Sequence, residues 1–188
     1  MNKVSIGAKP IMFPMPTVVV GTEVEGKINY MTFAYCGIMG YEPALIAISP
    51  GKGSYTYGAI PKVGVFSVNI PSFAQVAITD WCGITSGKDT DKSRAFTTFF
   101  GKTPHIPLAS ECPINLECRL VHTYDHGGTD VVYIAEILEV HISCDCIVEG
   151  KVDMGRLDPI LFSTADRYYW KVGERTAKAF EVGRSVLK

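Results

Sequence analysis

A mainly β chain folded as an antiparallel barrel with a few short helices is the fold class this sequence predicts, and three observations carry it. Short β-branched and aromatic runs recur between glycine, proline and polar turn signals through the first half of the chain. Leu116, Cys118 and Leu120 alternate with Glu117 and Arg119, and this strand turns through Asp125-His126-Gly127-Gly128-Thr129 into Val131 to Ile142, the clearest hairpin present. The helical stretches are few and short, so the regular strand–helix alternation of a parallel sheet is missing.

Taken in order, Thr17 to Thr22 opens with Val18-Val19-Val20 and ends at Gly21; after the polar Glu23 to Lys27 a second strand starts at Ile28, giving a hairpin. Ala44 to Ser49 is a third run, closed by Pro50-Gly51, and Gly64 to Ile70 a fourth, stopped by Pro71. Ser72 caps a helix reaching about Trp81, and the polar stretch Thr85 to Arg94 leads into a second short helix ending near Phe100. Glu174 and Lys178 stand at helical spacing in a tail, Tyr168 to Lys188, that docks on the body. No repeat or linker divides the chain, so residues 1–188 are expected to form a single domain.

The 188 residues are 47% hydrophobic and 20% charged, a globular composition able to bury a core without a staple. Eighteen basic against nineteen acidic residues give a net charge of -1 with no basic run, which excludes a nucleic-acid partner. No segment approaches the ~18 apolar residues of a membrane span, and Pro10, Pro14 and Pro16 interrupt the N-terminus. Six cysteines are too sparse for a disulfide framework, so the expectation is a reducing, cytoplasmic setting without membrane attachment.

Several motifs fail on chemical grounds. Gly21-Thr-Glu-Val-Glu-Gly26-Lys27 matches the start of a phosphate-binding P-loop, but Ile28 replaces the magnesium-binding hydroxyl, Glu23 and Glu25 repel phosphate, and a strand follows where a helix is needed. No G-x-G-x-x-G follows a strand, no G-x-S-x-G elbow exists, and no C-x-x-C pair is present. Cys144 and Cys146 would share one face of a strand, as buried or half-buried thiols. His105, His122, His126 and His141 are scattered with no obvious carboxylate to orient them, and no metal or catalytic side-chain set is predicted.

Three polar segments remain. Asn29-Tyr30-Met31-Thr32 can lie beside a planar ligand; Ser49-Pro50-Gly51-Lys52-Gly53-Ser54-Tyr55-Thr56 brings backbone and hydroxyls to a helix start suited to phosphate; Cys82 to Lys92 adds small and hydroxyl residues and a cation, Lys92. Without a nucleophile or metal set, a bound organic cofactor would supply the missing chemistry.

The order of these segments resembles the flavin reductase-like family of FMN-binding split barrels. The resemblance is carried by Val20-Gly21-Thr22, Gly26-Lys27-x-Asn29-Tyr30-Met31-Thr32, Ser54-Tyr55-Thr56, Phe66-x-Val68-Asn69-Ile70-Pro71, and Asp80-x-Cys82-Gly83-x-x-Ser86-Gly87 with Asp91-Lys92, and by Tyr169-x-x-x-Gly173-Glu174 near the end. It implies an FMN-binding split barrel, an antiparallel Greek-key barrel with a few short helices, in a homodimer with FMN at the interface. Carried over by position, Asn29 and Thr32 with their backbone would meet the isoalloxazine, flanked by Tyr30 and Met31. Ser54, Thr56 and Lys92 would hold the phosphate and ribityl chain beside Ser49 and Tyr55, and Ser86 and Gly87 would line the same site. Tyr35, where relatives often have tryptophan, would cover the ring, with Phe162 and Tyr168 as further covers. The implied activity is hydride transfer from NAD(P)H to FMN and onward to free flavin, a protein or a metal complex. A non-catalytic FMN electron carrier reduced by a protein partner, and a split-barrel binding protein without cofactor, are the alternatives.

Overall fold

The computed structural model describes residues 2–186. In chain order the elements are β1 (Met15–Pro16), β2 (Val18–Val24), β3 (Lys27–Phe33), β4 (Cys36–Gly40), β5 (Leu45–Ile48), α1 (Tyr55–Val63), β6 (Val65–Ile70), α2 (Val76–Ile84), β7 (Thr98–Phe100) and β8 (Pro107–Ala109). They continue as β9 (Ile114–Tyr124), β10 (Val132–Ile142), β11 (Ile147–Val148), β12 (Lys151–Val152), α3 (Met154–Leu157), β13 (Ile160–Phe162) and β14 (Tyr169–Lys171). Seven strands form one antiparallel sheet in the order β3-β2-β6-β9-β10-β5-β4. Its edges, β3 and β4, follow one another in sequence without pairing, so the barrel is split rather than closed.

Strand alternation sorts the side chains to two faces. Val18, Val20, Phe66, Val68, Leu116, Cys118, Tyr133 and Ala135 form the inner core, into which α1 lowers Ile60. Pro61 within α1 has no N–H to offer the Tyr57 carbonyl one turn back. The Tyr133 hydroxyl donates to that carbonyl at 2.8 Å instead, with the two tyrosine rings stacked. Tyr133→Phe should therefore leave a carbonyl unpaired and cost about 1 kcal/mol, read as a melting temperature lower by about 2–4 °C.

The opposite face is polar where the β7–β8 hairpin covers it. Ser67 donates to the Pro107 carbonyl, the Ala109 N–H donates to Asn69 Oδ1 at 3.0 Å, and Asn115 Nδ2 donates to the Ala109 carbonyl at 2.8 Å. Beyond them Glu117 accepts the N–H groups of Lys102 (2.8 Å) and Thr103 (2.6 Å). Gly21 lies under this hairpin: a Cβ there would meet the Pro107 carbonyl and the Tyr30 ring, so the hairpin approaches only because position 21 has no side chain.

Four expectations are corrected. The first strand does not end at Gly21 but runs to Val24, and Glu25 and Gly26, both at positive φ, make the turn. The second short helix predicted to end near Phe100 is strand β7, as its Thr-Thr-Phe-Phe composition favours once a partner strand is present. The tail carries no helix at Glu174–Lys178, because one charge pair supplies only tenths of a kcal/mol and no apolar stripe is buried there. The tail docks at its start, where β14 pairs with β13 and the Tyr169 hydroxyl donates to Asp80 at 2.8 Å, while residues 172–184 are exposed; Leu187 and Lys188 lie outside the described residues. Cys144–Cys146 is a 3-10 turn, with Cys144 exposed and Cys146 buried, so the two thiols do not share a strand face.

Candidate functional site

Asn29 sits near the turn end of β3, 3% exposed, and its Nδ2 donates to Thr56 Oγ1 at 2.9 Å. Thr56 belongs to the first turn of α1, whose N-cap Ser54 accepts the Tyr57 N–H at 3.2 Å. The other carboxamide atom, Oδ1, lies against Gly87: a Cβ there would overlap it and come within 2.6 Å of the Tyr55 ring. The missing side chain at position 87 lets Asn29 and Tyr55 approach this closely, and beside them is a hollow of about 30 Å3 lined by Asn29, Tyr55, Gly87, Thr90, Asp91 and Lys92.

Lys92 gives this hollow its electrostatics. It is 3% exposed and donates to the carbonyls of Cys82 (3.0 Å) and Thr85 (2.8 Å). No carboxylate pairs with it among the described residues. Burial pulls its ammonium below the usual lysine range, opposed by the field of Cys82. A buried cation held by neutral dipoles alone, with a third proton to place, is suited to an anion in the adjoining hollow.

The protomer thus brings together Asn29, Tyr55, Thr56, Gly87 and Lys92, with Ser54 beside them. Ser86 is exposed next to Gly87, and its hydroxyl accepts the Lys88 N–H at 3.1 Å. Other expected positions lie elsewhere. Strand alternation puts Tyr30 and Thr32 on the face opposite Asn29. Tyr30 is 0% exposed, its hydroxyl shared with Thr98 at 2.8 Å, and burial pushes it up to about 12. The Thr32 hydroxyl donates to the Thr79 carbonyl of α2. Met31 packs on the inner core. Thr56 is fully buried and acts behind Asn29 rather than at the surface of the hollow.

Tyr35 and Ser49 meet each other, the Ser49 N–H donating to the Tyr35 carbonyl at 2.9 Å and its hydroxyl to the Val131 carbonyl at 3.1 Å, which fastens the loop before α1 to the β9–β10 turn. Phe162 and Tyr168 belong to the β1-β13-β14 region, where Phe162 packs on Tyr169 and Tyr168 is exposed.

The histidines depart from expectation. His141 does have a carboxylate partner, Glu117, at 2.7 Å, and His105 has Glu23 at 3.4 Å. Glu117 sits in a run that reads as an ordinary alternating strand, and only the hairpin folding over it shows that its face is covered.

The sequence model of the family described as "Flavin reductase like domain" matches residues 11–164. The crystal structure of flavoredoxin from Methanosarcina acetivorans is 33% identical, covers 100% of both chains and superposes with a TM-score of 0.95. Flavoredoxin of Desulfovibrio vulgaris (Miyazaki F) is 36% identical over 97% of this chain and 100% of its own, with a TM-score of 0.91. An NADPH-flavin oxidoreductase of Streptomyces viridifaciens is 28% identical over 133 residues, 66% of this chain and 66% of its own. The chain belongs to the flavin reductase-like family, and with it to the flavin-binding oxidoreductases.

Proposed function

We propose that the protein is an FMN-dependent oxidoreductase that takes hydride from NADH or NADPH and passes electrons to free flavin, a protein or a metal complex. The observation that carries this reading is the buried Lys92 ammonium, paired with no carboxylate among the described residues, beside the hollow of Asn29, Tyr55 and Gly87. These residues offer contacts that parts of a flavin need, a carboxamide oxygen able to accept from a ring N–H, an aromatic side chain and a cation for an anionic group, while the hollow itself, about 30 Å3, has room for an anionic group and not for the ring system. When bound, the flavin supplies the two-electron chemistry.

The chain's part is to bind and orient. Thr56 fixes the carboxamide of Asn29, so the ligand meets Oδ1. Lys92 holds the carbonyl ends of Cys82 and Thr85 in place and offers its charge to the cofactor's phosphate or to a reduced ring. Two copies form the working unit in this reading, since the exposed terminal segments carry Ile6, Met12, Phe13, Phe180 and Val182, apolar side chains that a partner would cover.

The test is the visible spectrum of the protein titrated with FMN, followed anaerobically by NADH and then NADPH. Saturable binding with rapid bleaching is expected. Bound flavin that stays oxidised with both nucleotides but yields to dithionite would convert the reading to an electron carrier reduced by a protein partner, and no binding would overturn both.

A further inference from the structure

The face covered by the β7–β8 hairpin opens into a cleft of about 310 Å3, lined by Phe99, Ser110, Asn115, His141, Ile142 and Ser143. Its volume is at the lower end of the ~300–1,000 Å3 of small-molecule sites. β9 and β10 pair so that Asn115 and His141 stand directly opposite one another, which sets their side chains on one face with Cβ atoms about 5 Å apart. The pairing Thr32–Val19–Asn69–Asn115 across the sheet turns this face away from Asn29, so the cleft is separate from the hollow beside Lys92.

Both side chains direct their donors inward. Asn115 is 4% exposed, and its Nδ2 donates to Asn69 Oδ1 and to the Ala109 carbonyl, both at 2.8 Å. The amide nitrogen has two hydrogens, so the atom left for the cleft is Oδ1, and no hydrogen bond reaches it from the described residues. His141 Nε2 lies 2.7 Å from Glu117 Oε1. Glu117 is an ionised carboxylate that can only accept, so Nε2 carries the hydrogen and the neutral ring keeps Nδ1 as an acceptor. The loop after β7 is shaped around this pair: a Cβ at Gly101 would overlap Glu117 Oε1 and His141 Nε2, and the next two backbone N–H groups, of Lys102 and Thr103, close on the carboxylate.

The field at the cleft is negative. None of its lining residues is Lys or Arg, Lys102 is paired with Glu139, and the Glu117 carboxylate stands behind the imidazole. Two neighbouring acceptors backed by a negative charge, with Phe99 and Ile142 beside them, match a ligand that brings several donors and a positive charge on an apolar body.

We propose that this cleft binds a planar organic cation, an amidinium or guanidinium group, whose N–H groups donate to Asn115 Oδ1 and His141 Nδ1 while its carbon framework lies against Phe99 and Ile142. The Ser110 and Ser143 hydroxyls line the remaining wall, where they accept from further N–H groups.

The probe is benzamidinium, titrated into the full chain at low ionic strength and followed by NMR through the side-chain amide of Asn115 and the ring of His141. Saturable shifts are expected, with benzoate, of the same shape and opposite charge, roughly tenfold weaker. Ser110 is exposed, so replacing it leaves the buried network in place. Ser110→Lys should weaken benzamidinium and Ser110→Asp should tighten it, each by roughly three- to tenfold, while FMN affinity stays within about twofold. His141→Phe, which removes Nδ1, should weaken benzamidinium by roughly tenfold; the two Ser110 variants carry the test if that protein does not fold. Acetyl-arginine amide titrated in parallel assigns the source of the cation: tighter binding than benzamidinium points to an arginine side chain of a peptide, weaker binding to a free small molecule. Absence of saturable benzamidinium shifts in wild type, benzoate binding as tightly, or Ser110 variants that leave benzamidinium binding unchanged or move it in the opposite directions overturns the assignment.

Discussion

Lys92→Met is expected to raise the dissociation constant for FMN by roughly 10- to 100-fold, because a charge-assisted hydrogen bond contributes about 1.5–3 kcal/mol and each 1.4 kcal/mol is a factor of ten. The ammonium is already out of water and its two carbonyl partners carry no net charge, so the cost of desolvating it falls on the folded protein whether or not a ligand is bound. An anion arriving beside it recovers Coulomb energy without a fresh desolvation of the cation. Methionine matches the length of the stem and removes the charge, and the Cys82 and Thr85 carbonyls lose a donor. Fluorescence titration with FMN gives the affinity, and melting of flavin-free protein separates binding from folding. Equal FMN affinity in variant and wild type would remove Lys92 from the site.

The elements legible in the sequence are those whose signal is local. The β2–β3 and β9–β10 hairpins follow from alternation and turn residues, and the cap at Ser54 from its hydroxyl before an apolar run. The candidate site was legible in part for the same reason: Asn29, Tyr55, Thr56, Gly87 and Lys92 lie in three polar segments that the fold brings together. What could not be read is which side each residue faces. Tyr30 and Thr32 stand in the same tetrapeptide as Asn29, yet a period of two sends them to α2 and the hairpin. The contacts of Lys92 depend on carbonyls at the end of α2, and carbonyl positions leave no trace in residue types. β7 was missed because a strand of three residues, Thr98–Phe100, has little identity of its own and exists through Pro107–Ala109.

Glu117 is the strongest case of meaning supplied by tertiary contact, and its replacement should give the largest loss of stability. Its side chain is 0% exposed, and it accepts from the Lys102 and Thr103 N–H groups and from His141 Nε2. Burial alone would raise its pKa, but the hydrogen bonds from Thr103, His141 and Lys102 outweigh burial and hold it at about 2, below the ordinary 4.5. Glutamine fills the same space, but it brings an NH2 group into a pocket lined with donors, leaving at least one backbone N–H facing another donor. Hydrogen bonds to a charged group contribute about 1.5–3 kcal/mol each, and two backbone N–H groups depend on this carboxylate, so Glu117→Gln should lower the melting temperature by about 10 °C at pH 7. The pH dependence fixes the cause. A carboxylate whose folded pKa is depressed stabilises fully above its unfolded value, 4.5, and that stability is lost as pH falls through the folded value near 2. The gap between wild type and variant should therefore shrink steadily as pH falls from 4.5 to 2. A gap that does not change between pH 4.5 and 2 would show that shape, not charge, is what the site requires. FMN affinity should stay within about twofold, because the pairing Tyr30–Gly21–Ser67–Glu117 across the sheet places Glu117 on the face away from Asn29.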